Sequence, residues 1–127
     1  MDSLVAVIEG ADHREVGGAR IDIVRVGNGR VGRVVYPPGF RWSTHLKPVV
    51  GTDLCRHAHV GFLARGHVQG TYSDGCAFDF VAPAVVSLTP GHDAWVVGNE
   101  EAVLIQFDAE GATARHFGLS EEHRHHA

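Results

Sequence analysis

Eight short apolar runs, rich in valine and isoleucine, are cut apart by glycine and proline, and this limits what the chain can fold into. They span Val5–Ile8, Ile21–Val26, Val31–Tyr36, Ala58–Ala64, Phe78–Val81, Val85–Leu88, Ala94–Val97 and Val103–Phe107. Runs of this length and composition, spaced by turn residues, predict strands of an all-β sandwich or barrel. No stretch of about ten or more residues has helical periodicity. Gly27-Asn28-Gly29 reads as a hairpin turn between two of the runs. Ser73-Asp74-Gly75 reads as a second, between His67–Tyr72 and Cys76–Val81.

At 127 residues the chain fits one domain with one core. Hydrophobic residues make up 44% and charged residues 20%, which separates it from disordered chains. The formal charge of −4 argues against a nucleic-acid partner. No apolar run is long enough to span a membrane. Met1-Asp2-Ser3-Leu4 carries no basic leader, so a cytoplasmic location is expected. Two cysteines, Cys55 and Cys76, are too few for a disulfide scaffold. The expected division is one β domain over residues 1–111, with its core over 31–108. A histidine-rich tail, 112–127, lacks the strand pattern.

The chemistry-bearing residues fall on or beside the β-like runs. His45 ends the stretch Pro37-Pro38-Gly39-Phe40-Arg41-Trp42-Ser43-Thr44-His45. Cys55, His57 and His59 alternate downstream, and His92 sits in Pro90-Gly91-His92-Asp93. Alternate residues of a strand share a face, so Cys55, His57 and His59 could address one ion. Imidazoles with or without a thiolate suit Zn, Fe, Ni, Cu or Mn, and an open position would take water or substrate. If Arg41, His45 and Lys47 lie on a strand, they share a face as well, and two cations beside an imidazole would attract a small anion. The opposing expectation is that this strand ends and both cations are solvated. Trp95 is expected to pack outward or to wall a pocket. Asp93 is expected either to orient a histidine or to cap the Gly91 turn.

With these residues in view, the chain resembles the cupin superfamily, small β-barrels of the double-sheet jelly-roll type. The first cupin motif runs Gly, five residues, His-x-His, three or four residues, Glu, six residues, Gly. Gly39 followed by His45 and His59 followed by Gly66 match its two ends, with Lys47 in place of the second histidine and His59 in place of the glutamate. A second register starts at Gly51 and contains the literal His57-Ala58-His59, but Gly66 then arrives too soon. The first register is preferred because both flanking glycines fit. In the second motif Gly91 matches a glycine, Thr89 replaces a proline and Ala94 replaces the histidine, with His92 two residues earlier.

The resemblance implies a metal held by His45, His59 and His92, with Cys55 and His57 as alternates. His45, His59 and Lys47 would be the catalytic groups, and Arg41, Lys47 and Trp95 would bind substrate. It implies an isomerase, cyclase or dioxygenase acting on a small anionic or enolisable molecule, and a homodimer. Loss of the motif glutamate and a cation at Lys47 leave open a barrel without metal. The alternative is a non-catalytic cupin that binds or senses a small molecule.

Overall fold

The computed structural model describes residues 2–27, 29–45, 59–88 and 92–109, without the side chains of 44, 45, 59, 88, 108 and 109. Among the described residues, nine strands and one short helix follow in chain order. They are β1 (Asp12–Val16), β2 (Ala19–Val26), β3 (Gly29–Tyr36), α1 (Trp42–His45), β4 (His59–Arg65) and β5 (His67–Tyr72), then β6 (Ala77–Val81), β7 (Ala84–Leu88), β8 (His92–Val96) and β9 (Ala102–Ala109).

The strands form two sheets. One has six strands in the order β1-β2-β3-β9-β4-β7, and the other has three in the order β6-β5-β8. Every pairing is antiparallel. Chain neighbours β4 and β5 lie in different sheets, as do β6 and β7, so the chain crosses repeatedly between layers. This is the all-β, cupin-like arrangement expected from the sequence.

Both predicted hairpins form. Val26 pairs with Gly29, so β2 and β3 reverse direction just after Gly27, which takes φ +61°. Thr71 pairs with Ala77 across the turn that contains Ser73-Asp74-Gly75.

The core lies between the sheets. Val34, Leu63, Val86 and Leu104 from the larger sheet meet Tyr72 and Val96 from the smaller one, with Phe40 and Trp42 closing in from the connecting segment. Strand alternation then fixes the other face of the large sheet. Val35 and Val103 belong to that outer face and are nonetheless buried. The N-terminal segment is anchored there: Arg33 Nη1 donates to Ser3 O at 3.5 Å, and Asp2 pairs with Arg65 at 2.6 Å.

Two expectations need correction. Val5–Ile8 is not a strand. Its backbone turns, with Val5 N and Ala6 N donating to Asp2 O at 3.2 and 3.1 Å. The first strand is instead the polar run Asp12–Val16, which has no apolar alternation because it is an edge strand. Charged side chains on an edge discourage pairing with other chains.

Candidate functional site

His92 is the one proposed ligand whose side chain is described in full. It opens β8 opposite Tyr72 of β5. It is 2% exposed, and Val96, on the same strand face, is buried too. His92 faces the space between the sheets, because its ring lies against Tyr72 and Phe78 on their inward side. Its ring stands edge-on to Tyr72 and to Phe78, each with centroids 6.1 Å away. Tyr72 and Phe78 also meet each other at 5.6 Å. Neither aromatic was singled out from the sequence. Their signal was present in the alternation, since Tyr72 and Phe78 fall on the inward parity of β5 and β6.

Gly70 explains how Phe78 reaches this position. A Cβ there would lie 2.1 Å from the Phe78 ring and 2.2 Å from Asp93 O. Only a residue without a side chain leaves room for the ring over β5. Gly70 thus seats Phe78, and Phe78 flanks His92.

The other proposed ligands divide by how much is described. The backbone of His59 opens β4, paired with Leu88, on the strand parity of core residue Leu63. The backbone of His45 closes α1. Lys47, Cys55 and His57 lie outside the described residues. Among the described residues, no three His, Cys, Asp or Glu side chains come together as a metal-ligand group.

Residues 42–45 are helical, and this changes the geometry expected around Arg41. Strand alternation ends at Arg41, so the period-two argument that put Arg41, His45 and Lys47 on one face does not hold. Arg41 instead lies over the Trp95 ring, 4.3 Å from its centroid, and pairs with Asp93 at 3.4 Å. A guanidinium above an indole face is a favourable cation–π arrangement. Trp95 and Asp93 alternate with His92, so the Arg41–Trp95 pair lies on the face of β8 away from His92.

Asp93 is the hub of that outer face. Its Oδ1 accepts from Ser43 N at 3.0 Å and from Ala94 N at 2.9 Å. The first contact caps α1 from a distant strand and satisfies a helix-start amide. Further main-chain contacts hold the same segment to β8. Arg41 forms a bridge with Trp95, and Val96 N donates to Phe40 O at 2.9 Å. This tie between α1 and β8 is a role the sequence did not suggest for Asp93, and Gly91 lies outside the described residues.

Two further polar features lie away from His92. A cleft of about 420 Å³ opens at the other end of β5, lined by Arg65, His67, Pro83, Asn99 and Glu100 among others. At its margin His67 hydrogen-bonds Asp79, and that contact holds the Asp79 carboxyl below its usual value against the desolvation that raises it. On the large sheet, Asp22 is 2% exposed and takes both His13 Nδ1 and Arg33 Nη2 at 2.5 Å. Burial pushes the Asp22 carboxyl up, but the His13 hydrogen bond and the Arg33 charge outweigh it, and the carboxyl is held below its usual value.

Among the described residues no helix is long and apolar enough to cross a membrane. No protein-family model matches the chain, and no curated protein matches it. Solved structures do. A cupin 2 conserved barrel domain protein from Salinispora arenicola aligns with a TM-score of 0.55 at 20% identity, over 90% of this chain and 94% of that one. The cupin domain of Schizosaccharomyces pombe Cnp3 gives 0.53 at 14% identity, over 76% and 63%. An oxalate decarboxylase–formate complex from Lactobacillus farciminis gives 0.56 at 16% identity, over 84% of this chain but 32% of that one. The chain therefore spans less than two thirds of the Cnp3 domain structure and about a third of the decarboxylase.

Proposed function

We propose, for a chain that has the cupin fold, a metal-dependent enzyme of the isomerase, cyclase or dioxygenase type. Its substrate is a small anionic or enolisable molecule bound between the sheets. The observation that carries this reading is the placement of His92. A polar ring is sunk to 2% exposure among aromatic edges, facing inward across from the sheet that begins β4 with His59.

His45, His59 and His92 are the ligands proposed for a divalent transition metal, with Cys55 and His57 as alternates. Imidazole donors fit Zn, Fe, Ni, Cu or Mn equally well in kind. The ion would supply Lewis acidity toward a carbonyl or enolate oxygen, or a site for dioxygen. Tyr72 and Phe78 keep water from the flanks of His92. Lys47 is assigned the contact to the substrate's negative charge, because Arg41 already faces Trp95 and Asp93. His45 and His59 are the groups whose loss should stop turnover.

A screen of metal-reconstituted protein against small carboxylic and enolisable acids tests the reading. Turnover abolished by His45→Ala and by His59→Ala supports it. Ligand binding that survives metal removal, with no turnover of any acid in the screen, overturns it in favour of a binding or sensory module. The deep burial of His92 is the observation favouring that second reading, since a ring set against two aromatic edges also suits a packing role.

We also infer a homodimer. Phe62 of β4 and Val85 of β7 are paired across the outer sheet face and are 41% and 78% exposed. Light scattering should report twice the chain mass, and Val85→Lys should return it to the monomer value.

A further inference from the structure

We infer that Asp93 is a positioning residue that sets the distance between the backbones carrying His45 and His92, an inference that rests on the metal site proposed above. His92 is next to Asp93 on β8, on the opposite face of the strand. His45 is the last residue of α1, and the first turn of that helix is held by Asp93. One carboxylate therefore joins the two elements that carry two of the three proposed ligands, although they lie far apart in the chain.

The arrangement has the features of a strut. Oδ1 holds the amide of Ser43 and that of Ala94 at once, at 3.0 and 2.9 Å, so α1 is fixed to β8 itself. Oδ2 takes Arg41 at 3.4 Å, and the Arg41 guanidinium lies on the Trp95 ring. The Asp93 side chain is 14% exposed, which partly shields its two amide contacts from water, while the Arg41 contact is exposed. The described part of α1 is held to the rest of the fold by such tertiary contacts. β8 is also an edge strand of its sheet, and residues 40–43 lie along its free edge. Trp42 seats the same turn in the core, and Asp93 is the side chain that ties its Ser43 amide to β8. Groups that orient metal ligands commonly change affinity by about 10–100-fold when removed.

The test is cobalt(II) binding to the full-length protein, followed by its visible absorption. His116, His123, His125 and His126 are replaced by Ala in every sample so that only the internal site reports. Asp93→Ala should weaken cobalt binding by about tenfold or more and alter the band shape. Asp93→Asn retains an oxygen for Ser43 N and should recover most of the affinity. Val35→Ala, a change on the buried outer face of the large sheet, should lower the melting temperature and leave cobalt affinity unchanged. If Asp93→Ala does not fold, Asp93→Ser replaces it: its oxygen can still serve Ala94 N but falls short of Ser43 and Arg41. Equal affinity in wild type and the Asp93 variants overturns the strut while leaving the metal site standing. Equal loss in Val35→Ala overturns it too, by showing that any destabilisation suffices. No cobalt binding by the wild type overturns the metal site itself, and the strut with it.

Discussion

Asp22 and His92 are equally buried, at 2% exposure each, and the chain handles the two groups in opposite ways. Asp22 lies on the outer face of the large sheet, in a row of cross-strand neighbours with His13 on β1 and Arg33 on β3. A buried carboxylate there is answered by two basic side chains at 2.5 Å. His92 lies on the inner face with the edges of Tyr72 and Phe78 against its ring. The first region sets charge against charge to hold strands and the N-terminal segment together. The second sets a ligand-capable ring beside two aromatic edges. The comparison teaches that burial of a titratable group does not by itself mark a site; what surrounds the group does.

The largest effect should come from Asp22→Ala. It leaves Arg33 buried without its partner and should cost about 3–5 kcal/mol in urea or thermal unfolding. Cobalt affinity of the folded fraction should not change, and a change would break the separation between the two regions. Gly70→Ala comes next. The new Cβ collides with the Phe78 ring and with main-chain Asp93 O, which should cost about 1–3 kcal/mol as overpacking and should also perturb metal spectra by shifting the wall of His92.

Acid comes third and sharpens the account of the outer face. The folded Asp22 carboxyl is held below its usual value. Its contribution is complete above the unfolded value, near pH 4, and is lost as pH falls through the folded value. Stability of the wild type should therefore drop in that acid range, and Asp22→Asn should flatten the drop in a pH series of melting temperatures. The smallest effect on stability belongs to His92→Gln, about 1 kcal/mol. That same change should remove metal binding, which inverts the ranking found for Asp22.

The strands were legible because Val, Ile and Phe alternate against Gly and Pro punctuation, as in Val31–Tyr36 and Val103–Phe107. The N-terminus misled because Val5–Ile8 is apolar yet turns back on Asp2 O, while the polar Asp12–Val16 forms the edge strand. His92 was legible from its two-residue offset to the motif position, because parity survives such a shift on a strand. Tyr72, Phe78 and Gly70 were not, because their meeting depends on register between β5, β6 and β8, which a single sequence does not display. The facing of Arg41 was left open between a shared strand face and a strand end, because residues 42–45 are helical and alternation carries no information across a helix.

The most direct measurement is metal content of full-length protein purified without a tag, with His116, His123, His125 and His126 replaced by Ala, after growth in supplemented medium. A site built from His45, His59 and His92 predicts roughly one equivalent of a transition metal, lost on His92→Ala. Less than about a tenth of an equivalent, or an equivalent that survives His92→Ala, would contradict it.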